Sequence, residues 1–275
     1  MFKAFFNIAI VAVFFLICFV PWIDVLNVSG DIDLGLGLTS PSFEHWLGTD
    51  ELGRDMLVRI SSAFRDTVLP LWFFVIVAFL GGTSLAFLTL VSSSRLLGVA
   101  SRLLGSGAFL IVLIPLGVTV FCFSVYFQKN GLFSVIYSIF IVVFAKAYLN
   151  LKQLYQKDHR LLYWDAHEAI GGNLLSRVWR YGICQLWSRQ LMCELIFYLK
   201  VSIVAEVSVS YLGFGAQEPV ASIGNILASH FAESLRRPDH IILIAWMALL
   251  LAISIPGLIR SLWGQFSREN MVVAY

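Results

Sequence analysis

The chain has 275 residues, of which 59% are hydrophobic and 13% charged, with a formal net charge of +2 and a mean hydropathy of +0.84. A water-soluble domain of this size needs more polar surface than that to cover itself, so the composition excludes a soluble globular protein and places the chain in a bilayer. The near-neutral charge carries no basic cluster of the kind that binds nucleic acid.

A spanning helix needs roughly 20 mostly apolar residues to cross about 30 Å of hydrocarbon. Six runs approach that length: residues 4–23, 68–91, 103–127, 132–149, 191–215 and 241–259. They are apolar on every side rather than alternating, which predicts an all-α, polytopic membrane protein with six transmembrane helices and not a barrel. Lys3 precedes the first run as it would in a signal peptide. The run is too long for one, however, and no small-x-small site comes before Pro21 and Trp22, so an anchor is expected. Residues 1–67 then read as this anchor with an outer loop, and 68–275 as a five-helix core. Cys18, Cys122, Cys184 and Cys193 show no paired spacing, which points to neither a disulfide framework nor a metal site.

Basic residues stay on the cytoplasmic side of a membrane. With both termini inside, the cytoplasmic segments hold Lys3, Arg95, Arg102, Lys152, Lys157, Arg160, Arg177, Arg180, Arg189, Arg260 and Arg268. The outer segments hold only Arg54, Arg59, Arg65, Lys129, Arg236 and Arg237. The hydrophilic stretches are the outer loop 24–67, the cytoplasmic stretch 150–190 and a second outer loop, 216–240.

The cytoplasmic stretch contains YWDAHEAIGGNLLSRVWRY, residues 163–181. It predicts two short helices joined at an elbow: Gly171 and Gly172 allow positive φ at a helix end, and Asn173 can cap the helix that follows. In the second helix Leu174, Leu175, Val178, Ile183 and Leu186 share one side, with Arg177, Arg180 and Arg189 clustered away from them. The same pattern also suits an amphipathic loop that merely joins two spans.

Three ordered motifs resemble one family, the permease subunits of bacterial ABC importers of the dipeptide/oligopeptide/nickel group. DAHEAIGG is similar to that family's E-A-A, three residues, then G, with Asp165, Ala166 and Gly171 in register. HWLGTDELGRD resembles H-P-L-G-T-D-x-x-G-R-D through His45, Leu47, Gly48, Thr49, Asp50, Gly53, Arg54 and Asp55. AEVSVSYLGFGAQEPVASIGNIL resembles a third family segment through Glu206, Ser208, Ser210, Leu212, Gly213, Gly215, Gln217, Pro219, Gly224 and Asn225. The chain departs from the family at Asp165 (usually Glu), at His167 and Glu168 (usually small or basic), at Cys184 and Trp46 (usually Pro) and at Ile223 (usually Trp).

The resemblance implies a type I ABC importer permease fold in a bacterial inner membrane. It implies that residues 163–181 form a coupling helix seated on a separate ATPase, with Asp165, Ala166, His167, Glu168, Gly171, Gly172, Arg177 and Arg180 at the contact. The implied partners are a second, homologous permease, two cytoplasmic ATPases, an extracytoplasmic substrate-binding protein and membrane lipid, with no nucleic acid. The implied cargo is a short peptide, with nickel, another chelated metal or another small solute as alternatives. No phosphate loop of the form G-x-x-x-x-G-K-Ser/Thr occurs in the sequence, so ATP and Mg are expected on the partner subunits, with no cofactor and no catalytic residue in this chain.

Glu194, Lys200 and Glu206 fall within the fifth run, where a charge at the bilayer centre costs at least about 2.5 kcal/mol and should face the bundle interior or water. Lys200 and Glu206 are candidates for lining a translocation path or for structural pairing; Glu194 and Lys146 read as structural or snorkelling. In the rival reading, an ion-coupled secondary transporter, Lys200 and Glu206 would form the binding site, but that class calls for inverted repeats, and none is visible. A membrane-embedded enzyme would need a nucleophile with a base, or clustered metal ligands, and the sequence offers neither. Asp50, Arg54 and Asp55 suit loop-tying ion pairs, or else a cation or a binding protein. His45, His159, His167, His230 and His240 lack metal spacing. Pro115 and Pro256 should bend their helices, while Gly81 with Gly82, and Gly105 with Gly107, should permit close helix contact.

Overall fold

The computed structural model describes residues 33–91, 95–126, 131–158, 169, 171, 173, 176, 188–218 and 220–231. The first and sixth apolar runs, together with Pro256, lie outside them. Within the described residues the protein is helical: α1 (Met56–Ala63), α2 (Leu69–Val91), α3 (Arg95–Leu113), α4 (Leu116–Tyr126), α5 (Leu132–Asp158), α6 (Ser188–Tyr211) and α7 (Ile223–Phe231).

Helices α1 and α2 run on through a π turn at Phe64–Val68, where the Leu69 amide donates to Phe64 O five residues back. Pro70 follows directly and has no N–H to give, which favours the wider turn over a regular helical register. The resulting helix, Met56–Leu90, and helix α5 over Leu132–Lys157 are long and apolar enough to span a bilayer. The run 103–127 is broken rather than continuous. It is split at Ile114 and Pro115 into α3 and α4, bent by 101°, and makes a third span only if the pair is counted together. Helix α5 outlasts its apolar run because Asn150, Lys152 and Gln153 are compatible with a helix. Helix α6 stops at Tyr211, short of the expected Gly215, because Gly213 turns the chain with φ 82°.

The core forms where α2 lies along α5. Ala78, Gly82 and Ala86, four residues apart, are all buried, and a Cβ at Gly82 would come 2.5 Å from Phe144 O. Small residues at this spacing bring two backbones together where hydrocarbon gives no hydrophobic drive. The Trp72 indole donates to Leu199 O at 3.2 Å, joining α2 to α6, and Ser124 Oγ donates to Ser138 Oγ at 3.3 Å between α4 and α5. On the far side of α2, Phe73, Val77, Leu80 and Leu88 are exposed, an arrangement that costs nothing in lipid. Gly105 and Gly107 do not mediate close contact: a Cβ at Gly107 would meet nothing within 4 Å, and at Gly105 only Lys152 Nζ at 3.4 Å. Tyr148 and Lys152 reach across from α5 to Ser101 O, holding α3 a side chain's length away.

Candidate functional site

The outer loop before α1 is organised by its charged residues. Asp50 is 3% exposed; its Oδ1 accepts from the Leu52 and Arg54 amides at 2.9 and 2.8 Å. Its Oδ2 accepts from Arg54 Nε at 2.8 Å and Arg59 Nη1 at 2.7 Å. The same two guanidinium groups reach Glu218, Arg54 Nη1 at 2.8 Å and Arg59 Nη2 at 2.6 Å, so the loop is tied to the segment between α6 and α7. Burial pushes the Asp50 carboxyl up, but the amide and guanidinium of Arg54 and the charge of Arg59 outweigh it and leave the group below its ordinary range. The Arg54 hydrogen bond likewise holds the Glu218 carboxyl below its usual range, with Arg59 adding to the effect.

Asp55 serves two ends at once. Its Oδ1 caps α1 by accepting from the Leu57 and Val58 amides at 2.7 and 3.2 Å, and its Oδ2 meets His45 Nδ1 at 2.9 Å. Thr49 is fully buried and bonded to Thr39 and Leu36. Gly53 must be glycine, since its φ is 76° and a Cβ would fall 1.8 Å from Asp33 O. The charges of the HWLGTDELGRD segment thus hold the loop in shape, as one of the two readings of the sequence had it. Glu218, the carboxylate that carries the tie to α6, was missed because it stands at an unmatched position between the matched Gln217 and Pro219. The available signal was an acidic residue beside a proline in an otherwise uncharged segment.

At the end of α6 the Phe214 amide donates to Val209 O and the Gly213 amide to Ser210 O, a Schellman ending. A Cβ at Gly224 would meet Val207 O at 2.5 Å, so α7 starts directly against α6. Glu206 sits at this junction, fully buried, with Oε1 accepting from Ser210 Oγ at 2.8 Å, and Ser210 Oγ accepts from the Ala216 amide at 3.2 Å. Lys200 is half-buried on α6, on a different face from Glu206 because six residues turn about 240°. Glu194 is bonded across helices rather than reaching for the interface: its Oε2 accepts from Asn150 Nδ2 at 3.0 Å, and the same amide donates to Tyr198 Oη at 2.9 Å. Neither Asn150 nor Tyr198 stands out in the sequence, since each reads there as an ordinary helix residue.

Of the residues expected at the ATPase contact, Asp165, Ala166, His167, Glu168, Gly172, Arg177 and Arg180 lie outside the described residues. Gly171 has φ 83°, and Asn173 Oδ1 accepts from the Ser176 amide at 2.9 Å, as an N-cap does. Among the described residues no group of His, Cys, Asp or Glu could hold a metal ion.

No family model matches the chain. It is 26% identical over 223 residues, covering 78% of this chain and 68% of the relative, to a glutathione transport system permease protein of Pectobacterium atrosepticum. It is 31% identical over 97 residues, covering 35% of this chain and 32% of the relative, to a probable D,D-dipeptide transport system permease protein of Escherichia coli. Both relatives are transport components rather than enzymes. A helical, membrane-embedded architecture, the ordered motifs and these two similarities converge: the chain is similar to ABC transport permease subunits and is consistent with the dipeptide/oligopeptide/nickel kind.

Proposed function

We propose that this permease pairs with a second, homologous permease to enclose a path for short peptides, and that two separate ATPases drive it through the elbow at residues 163–181. Two local observations support the reading: Gly171 has φ 83°, and Asn173 Oδ1 accepts from the Ser176 amide as an N-cap does. Such a joint lets one short helix seat on a partner while the other stays with the bundle. ATP and Mg belong to those partners, and an extracytoplasmic binding protein delivers the cargo to the loops held by Asp50 and Glu218. Both relatives are named for short peptides, which supports peptide cargo over a metal chelate. The distribution of Lys and Arg supports an inner-membrane topology with both termini in the cytoplasm.

The test is uptake and ATP hydrolysis measured together in proteoliposomes. Gly171→Pro and Asp165→Arg should uncouple hydrolysis from uptake while membrane insertion stays normal. Unaltered transport in both variants removes the lever assignment, and transport that persists without ATP removes the importer reading.

A further inference from the structure

At the end of the bundle opposite the ion network, α3 and α5 diverge and leave an open cavity of about 370 Å³. Arg102, Gly105 and Phe109 line it from α3 at steps of three and four residues, so they share one face; Leu149, Lys152 and Gln156 do the same from α5. The chemistry is graded with depth. Arg102 lies in the first half of α3 and Lys152 in the last two turns of α5, and Phe109 is about 10 Å further along α3 at 1.5 Å per residue. Gly105 lies between them, leaving room for the Lys152 amine.

The cations are under-used. Lys152 Nζ makes one long bond to Ser101 O at 3.3 Å and lies 5.8 Å from the Tyr148 ring centroid. Among the described residues no carboxylate lines the cavity, and neither Arg102 nor Lys152 is in an ion pair. Two cations and the carboxamides of Gln153 and Gln156 therefore face a space with no counter-charge among the described residues, beside the apolar side chains of Phe109 and Leu149.

We propose that this cavity is a headgroup site for an anionic phospholipid, its phosphate held by Arg102 and Lys152 with Gln156 donating, and an acyl chain lying against Phe109 and Leu149. A lipid fits better than a soluble anion because the apolar half of the cavity is continuous with the exposed side of α3, where Leu110 and Leu113 also face outward. Basic pockets between helices at a membrane surface suit such headgroups.

The test uses the full chain, with whatever subunits co-purify, reconstituted in nanodiscs of phosphatidylethanolamine with or without phosphatidylglycerol, then extracted and weighed by native mass spectrometry. Two basic side chains near a surface predict roughly thirty-fold preferential retention of phosphatidylglycerol, lost in the Arg102→Gln, Lys152→Gln double variant. Gly105→Leu, which fills the cavity while keeping both charges, should lose the same preference and remain monodisperse. Retention unchanged in both variants overturns the proposal. So does displacement of the lipid by inorganic phosphate alone, which would mean the apolar wall does nothing. Loss of a co-purified ATPase from the double variant with lipid retention intact also overturns it, by assigning the cations to a protein partner.

Discussion

The Asp50→Asn variant isolates one charge within the outer network. Asparagine keeps an oxygen for the Leu52 and Arg54 amides, so the turn survives. It also turns the amide nitrogen toward two guanidinium groups that now share only Glu218. The Arg59 side chain is 8% exposed and that of Asp50 is 4% exposed, so neither can recover hydration. Breaking a buried pair from one side costs about 3–5 kcal/mol. Glu218 is 50% exposed, so Glu218→Gln should cost no more than about 1 kcal/mol after screening. The two changes are not additive: once Asp50 is neutral, Glu218 is the only counter-charge of Arg59 among the described residues, and removing it should cost more than in the unaltered protein. The assay is the midpoint of heat-induced loss of the monodisperse peak in detergent for both single variants and the double. Equal shifts for the two single variants, or strict additivity in the double, would refute the assignment of Arg59 as a buried cation held mainly by Asp50.

The same network sets a pH dependence. The Asp50 and Glu218 carboxyls are held below their ordinary values, so their stabilisation is complete above the usual carboxylate range and is lost as pH falls through the lower folded values. The thermal midpoint should therefore drop below about pH 4, and less steeply in Glu218→Gln. Gly224→Ala puts a Cβ 2.5 Å from Val207 O and 2.6 Å from Ser210 Cβ, and should destabilise by about 1–3 kcal/mol. Gly107→Ala meets nothing within 4 Å and should raise the midpoint slightly, by up to about 1 kcal/mol of helix propensity. Asn150→Leu leaves Glu194 and Tyr198 without their shared donor and should cost about 1–3 kcal/mol; an unshifted midpoint would show that the Glu194 carboxyl finds water instead.

How much of this was legible in the sequence follows from the range of the interactions. Helices α2 and α5 were readable as long apolar runs, because the need to satisfy backbone groups in lipid acts residue by residue. Of the expected elbow only the positive φ at Gly171 and the cap at Asn173 fall among the described residues, and both were readable because they are local. The split at Pro115 was foreseen only as a bend, since a missing N–H fixes where a helix weakens but not the angle its neighbours then impose. The partners of charged residues were hardly legible at all. Arg54 and Glu218 are 164 positions apart, and Asn150 and Glu194 are 44 apart; periodicity on one helix says nothing about which residue of another will face it. Gly105 and Gly107 make the same point from the other side, because a small residue permits contact without creating it.

The ties between the outer loop and α6 also constrain how the protein can change shape. Arg54 and Arg59 grip Glu218, Thr67 Oγ1 donates to Ala221 O at 2.8 Å, Trp72 holds Leu199 O, and Gly224 seats α7 on α6. These points run from the outer loop down the first turns of α2, so α1, α2, α6 and the start of α7 should move as one body. Helix α4 belongs with α5, to which Ser124 and Ser138 bind it, and it departs from α3 at Pro115, where Ile114 and Pro115 are exposed and the axis turns by 101°. A rocking transition should therefore concentrate its displacement at that break. Spin labels at the exposed Phe73, Leu110 and Val204 would report it: the Phe73–Val204 distance should hold constant between nucleotide states while Leu110 shifts against both. If Phe73 and Val204 separate while Leu110 keeps its distance from either, the α2–α6 ties are not what holds this half of the bundle together.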